Sequence, residues 1–237
     1  MRKIDHKKII KKFENDISEL WQYFSDVERY IIMQNPSRKD LLIGHLSEQV
    51  FVSMAVLFEQ FISDIFVAYI NNNSQQFSSY VCTSVQNDLS NNSVKQFVNV
   101  SIPTNLNVAQ IRELLMPDDD NIKFADCKIL KKKAKQWLVE EHARKFSKLH
   151  RDDISLINSI KKIRNYLAHR SPRSLKSMIS ILKEIETASP TCKNYGLGIN
   201  LRAKNRDIGN YLKADIEDGR RVEVYLQRIH SIALTFM

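Results

Sequence analysis

The chain has 237 residues, 43% of them apolar, and its five glycines and five prolines leave few places for a helix to break. It carries a formal charge of +9 and a pI of about 9.4, a balance that favours anionic partners. Cys82, Cys127 and Cys192 are odd in number, widely scattered and in no metal-ligand spacing. They exclude a disulfide framework and read as reduced thiols of a cytoplasmic protein.

The start, MRKIDHKKIIKKFEND, is basic and then amphipathic, without the apolar block and cleavage site of a signal peptide. No apolar run approaches the roughly 18 residues of a membrane span, so no membrane contact is expected. Ile9, Phe13, Ile17, Leu20, Trp21, Phe24, Val27 and Ile31 recur at helical steps and predict one long helix, ended by Asn35-Pro36. A second helix is expected through DLLIGHLSEQVFVSMAVLFEQFISDIFVAYI, with Ser37 and Asp40 near its start. Leu42, Leu46, Val50, Met54, Leu57, Phe61 and Ile65 make its main stripe. Phe51, Phe58, Ile62 and Phe66 widen it until the helix is apolar on more than one side. Such a helix is central in a bundle or covered by a partner subunit.

Residues 72–150 read as an insertion of shorter elements. SSYVCTSVQNDL fits a helix, VKQFVNVSIPTNLN a strand or loop, and NVAQIRELLM a helix stopped by Pro117 before the polar turn DDD at 118–120. A long basic helix is expected over 126–149, with Ile129, Leu130, Trp137, Leu138 and Phe146 on its buried side. Asp152 or Asp153 then caps ISLINSIKKIRNYLAHR, whose core stripe is Ile154, Ile157, Ile160, Ile163 and Leu167. Pro172 forbids its continuation. SLKSMISILKEIE is a further helix, SPTCKNYGLG a loop, and residues 218–236 a last helix. The fold class predicted is all-α, a helical bundle with an embellished middle.

Charge is concentrated. Residues 121–176 hold sixteen Lys and Arg against five Asp and Glu, a local +11 that leaves −2 for the remainder. A field of this kind suits a polyanion such as nucleic acid; a solvated basic face is the plainer alternative. Within that segment lies KKIRNYLAHRSPRS, where a helix closes on Arg164, Asn165 and His169. Asn165 and His169 are four apart and share a face, and the long Arg164 side chain, one step round, can reach toward them. The three residue types suit RNA cleavage without a metal. A base takes the ribose 2′-OH proton, an acid protonates the departing 5′ oxygen, and a cation stabilises the charged intermediate. His169 serves as acid or base, Arg164 forks onto phosphate oxygens, and Asn165 holds the imidazole or a phosphate oxygen. Lys161, Lys162, Arg170 and Arg173 gather the RNA backbone. One histidine does not readily act as both acid and base, so a second copy or a water is required. On spacing alone, Arg164 as a surface residue and His169 against the last carbonyls would explain the same pattern.

RNYLAH, at the end of an amphipathic helix in an all-α chain, resembles the signature of the HEPN superfamily. The paired N-terminal helices, with VFVSMAVLFEQFISDIF in the second, are similar to its bundle. The resemblance covers about residues 5–70 and 150–235 and implies one HEPN-like domain over 1–237, interrupted by the insertion. It further implies a symmetric homodimer whose motif residues meet at the interface. The implied activity is that of a metal-independent endoribonuclease leaving 2′,3′-cyclic phosphate and 5′-hydroxyl ends, with no cofactor. Prokaryotic members serve as toxins, paired with an antitoxin, or in abortive infection and antiphage defence. Where toxins controlled by a nucleotidyltransferase antitoxin carry a tyrosine two residues past the motif histidine, this chain has Ser171, which speaks against that control. The rival readings are a non-catalytic nucleotide- or RNA-binding module of the same fold and a structural helical dimer. Glu48 and Glu59 read as helix–helix polar contacts, and His142 and His150 as contacts to solvent or RNA.

Overall fold

The computed structural model describes residues 3–90, 101–116, 121–199, 207–217 and 219–237. Among these the fold is all-α, with one two-residue hairpin. The helices in chain order are α1 (His6–Gln34), α2 (Lys39–Asn72), α3 (Gln75–Ser90), α4 (Val108–Leu115), α5 (Cys127–Trp137), α6 (Glu140–Ser147), α7 (Arg151–His169), α8 (Pro172–Ala188), α9 (Pro190–Asn194), α10 (Ile208–Lys213) and α11 (Arg221–Leu234). Between α10 and α11, β1 (Asp215–Ile216) pairs antiparallel with β2 (Gly219–Arg220). The turn expected at 118–120, Pro117, and the first part of VKQFVNVSIPTNLN lie outside the described residues.

Contacts gather the chain into two compact units. The first comprises residues 1–10 and 59–148, so it takes the start of α1, the second half of α2 and the whole of 72–148. Every residue from 61 to 71 except Asp64 is buried, and Phe66 anchors an aromatic cluster. Its ring centroid lies 5.0 Å from Phe124, 4.6 Å from Phe146 and 6.0 Å from Trp137. The extra apolar width of α2 is therefore taken up here by the chain itself. By composition α2 is long and apolar enough to cross a membrane, the one described helix that is, with a mean hydropathy of 1.8 over its most apolar window. No uninterrupted apolar run of that length is present, since Glu59 and Asp64 break this one, but the average over the window stays high. Of that window 61% is buried within the chain, as in a core helix.

The expected long helix over 126–149 is two helices. Asp126 caps α5, its side chain accepting from the Ile129 N–H at 2.9 Å. The chain then turns extended at Leu138 and Val139, and α6 starts on Glu140 and Glu141, which suit a helix N-terminus. No glycine or proline marks this break. Trp137 and Leu138 are both buried at the break. Ile129 is 38% exposed rather than buried.

The second unit comprises residues 11–58 and 149–237. α7 and α8 pack against each other, and Phe24 of α1, Phe51 of α2 and Tyr225 of α11 are fully buried. Phe51 meets Tyr225 edge-on at 5.0 Å. The Tyr225 hydroxyl lies 3.3 Å from that of Tyr211, which donates to the Leu197 carbonyl at 2.7 Å. Gly44 of α2 faces Gly209 of α10, with a Cβ at Gly209 only 3.3 Å from the Gly44 carbonyl. A Cβ at Gly44 would meet Gly209 at ordinary van der Waals distance, whereas one at Gly209 requires its neighbours to give by a few tenths of an ångström. The region expected to be a plain loop after α8 contains the short α9, and the last helix begins at Arg221 after the hairpin.

Candidate functional site at the end of the seventh helix

α7 does not start on Asp152 or Asp153. His150 is its N-cap, and Asp153 accepts the His150 N–H at 3.0 Å. Asp152 instead accepts the Ser189 hydroxyl. Burial alone would raise its pKa, but hydrogen bonds from Ser189 and Thr191 and the Arg151 charge hold the carboxyl below its usual range. The helix buries Leu156, Ser159, Ile160, Ile163 and Tyr166.

It ends on Arg170, which takes the left-handed conformation at φ 47 and sends its N–H back to the Tyr166 carbonyl at 2.8 Å. A left-handed non-glycine residue needs support. Arg170 has two supports. Its guanidinium donates to Glu48 Oε2 of α2 at 2.5 Å, and it lies 5.3 Å from the centre of the Tyr166 ring. Ser171 then caps α8, accepting from the Ser174 N–H at 3.2 Å, and Pro172 takes the first helical position, where its missing N–H costs nothing. Pro172 thus opens a helix; the left-handed turn before it is what ends α7.

Arg164 and Asn165 are half-buried and His169 is exposed, and none of the three makes a side-chain hydrogen bond or ion pair among the described residues. At 100° per residue, Asn165 and His169 lie about 40° apart round the axis and Arg164 about 140° from His169. Asn165 is at the crest of the outward half of α7, with Arg164 and His169 on opposite flanks. Of the expected backbone-gathering cations, Lys161 and Lys162 are half-buried and Arg173 is exposed. Arg170 is held by Glu48, which makes the interhelix contact expected of it. A cleft of about 620 Å³ opens beside this ion pair, lined by Leu20, Tyr23, Glu48, Val52, Leu167 and Arg170, but by none of the three motif residues. The Glu48–Arg170 contact spans 122 residues and leaves no local pattern by which sequence could reveal it.

Comparison of the chain with protein-family models, with curated proteins and with solved structures finds no match.

The basic segment is shared between the two units: nine of its Lys and Arg lie at 123–148 and seven at 151–176. In the first unit His142 is not at the surface, as the sequence led us to expect, but 8% exposed. Its ring stacks on Tyr69 at 4.1 Å and 8°, and the His6 ring centroid lies 5.3 Å from that of Tyr69. The Lys145 ammonium sits 5.4 Å from the Tyr69 ring centre. Burial, then Lys145 and His6, outweigh Glu141 and push the His142 pKa down; burial and Lys145 do the same to His6. Burial also lowers Lys145 and raises Tyr69. Among the described residues no group of three or more His, Cys, Asp or Glu is placed to hold a metal ion.

Proposed function

We propose that this chain is a metal-independent endoribonuclease of HEPN type, acting as a cytoplasmic homodimer in a toxin–antitoxin or antiphage defence setting. The observation that supports the reading is the outward half of α7, where the side chains of Arg164, Asn165 and His169 make no hydrogen bond or ion pair among the described residues. Three polar groups left unpaired at one helix end are available to a ligand. Their division between two flanks calls for a second copy. A two-fold axis beside α7 would set Arg164 of one subunit toward the imidazole of the other, and would supply the second histidine that acid–base chemistry needs. His169 takes the 2′-OH proton, its counterpart protonates the 5′ oxygen, and Arg164 binds the phosphate oxygens as charge develops. Asn165, one turn before His169, orients the imidazole. Lys161, Lys162 and Arg173 hold the flanking backbone.

The test is RNA cleavage in excess EDTA. Cleavage is expected to persist, to leave 2′,3′-cyclic phosphate ends, and to fall at least a hundredfold in His169→Ala and in Arg164→Ala, since each removes a group acting in the chemical step. Mixing the two inactive variants restores no activity, because the mixed dimer holds one His169 where the mechanism uses two. A strict need for a divalent ion removes the mechanism. RNA binding without cleavage under any condition favours the non-catalytic binding module.

A further inference from the structure

α5 carries a second feature, independent of the α7 motif. Its buried face is Cys127, Leu130, Ala134 and Trp137. At 100° per residue, Lys128, Lys131, Lys132 and Lys135 fall within an arc of about 100° on the other side. Lys128, Lys132 and Lys135 are exposed and form no ion pair among the described residues. Lys131 is half-buried and donates to the Ser147 carbonyl at 3.0 Å. That bond brings the end of α6, with exposed Lys148 as its C-cap, beside the row. The nearest carboxylates in sequence are engaged: Asp126 caps α5, and Glu140 accepts from Arg144 Nε at 3.1 Å. The result is a ridge of one sign, about 10 Å from Lys128 to Lys135 along the axis at 1.5 Å per residue.

Like charges packed on one helix face repel, and at (i, i+4) they cost stability. A stripe of this kind therefore opposes the helix that carries it. Its complement is a polyanion with closely spaced, repeating charges and no need for a shaped pocket.

We propose that the lysine ridge of α5 is a docking track for the sugar-phosphate backbone of RNA, giving sequence-independent affinity from a part of the chain remote in sequence from α7. It takes from the functional reading only that RNA is the ligand. Neutralised phosphates release counterions, so each lysine that leaves the contact lowers the salt dependence of binding by a fixed increment.

The test uses the full chain carrying His169→Ala, so that cleavage does not enter, and a 20-nucleotide single-stranded RNA. Lys128→Gln, Lys132→Gln and Lys135→Gln are combined; glutamine is a good helix former, so α5 persists, as far-UV circular dichroism checks. The slope of log K against log salt is expected to fall by about 2, from about 0.7 per phosphate contact, with affinity at 0.1 M salt reduced about a hundredfold. Equal slopes in the triple variant and its parent overturn the ridge, as does a parent that binds no RNA. Preferential loss of binding to polyglutamate, with RNA binding unchanged, assigns the ridge to an acidic protein and also overturns the proposal. Failure of the nuclease reading is seen separately, as absence of cleavage in the chain with His169 intact.

Discussion

Replacing His142 with phenylalanine should make the first unit more stable at neutral pH and less sensitive to acid. The ring is 8% exposed and lies parallel to Tyr69 at 4.1 Å, a stack that phenylalanine keeps. Its Nδ1 is sealed from solvent and makes no hydrogen bond among the described residues. A buried polar group left unpaired costs about 1–3 kcal/mol. Taking the low end of that range, we expect a gain of about 1 kcal/mol, or roughly 2–4 °C for a chain of this size. The pH dependence follows from the direction of the shift. His142 is held below its ordinary value of 6.5, so the unfolded chain takes up the proton first. As pH falls below about 6.5 the unfolded state gains protons that the folded state lacks, and stability falls with it. His6 is shifted the same way, so His142→Phe reduces the acid slope and the His6→Phe/His142→Phe double variant flattens it further. Urea titrations followed by circular dichroism at pH 7.5 and 5.0 measure both effects. A variant less stable than its parent at pH 7.5, with an unchanged acid slope, would refute the reasoning.

Two further substitutions probe the second unit by the same assay. Arg170 is left-handed at φ 47 and tied to Glu48; Arg170→Gly removes the strain and the ion pair together, while Arg170→Ala removes only the ion pair. The glycine variant should be the more stable of the two by about 1 kcal/mol, the cost of a non-glycine residue in that conformation. Tyr211→Phe deletes the 2.7 Å bond to the buried Leu197 carbonyl and should cost about 1–2 kcal/mol, because the acceptor is left unpaired.

The long elements were legible in sequence because each carries an uninterrupted periodic stripe. Phe13, Ile17 and Phe24 are buried as their spacing requires, and so are Leu46, Val50 and Met54. What sequence could not supply is what depends on contacts far apart along the chain. The break between α5 and α6 falls at Leu138 and Val139, with no residue there that breaks helices by itself. α7 ends on left-handed Arg170, whose side chain meets Glu48, 122 residues away in sequence. His142 looked solvent-facing amid lysines until Tyr69 was found beneath it. At the candidate site the residue types and their helix were readable. Their rotational placement is fixed by which side of α7 buries Ile160 and Ile163, and that sets Arg164 and His169 on separate flanks.

The second unit is assembled from residues 11–58 and 149–237, with 59–148 lying between. During translation its early half therefore leaves the ribosome without its complement. At about 5–20 residues per second, the intervening ninety or so take roughly 5–20 s to make. Through that interval Phe51 waits for Tyr225, the ring it meets edge-on, so the nascent chain presents a greasy hairpin to whatever holdase meets it first.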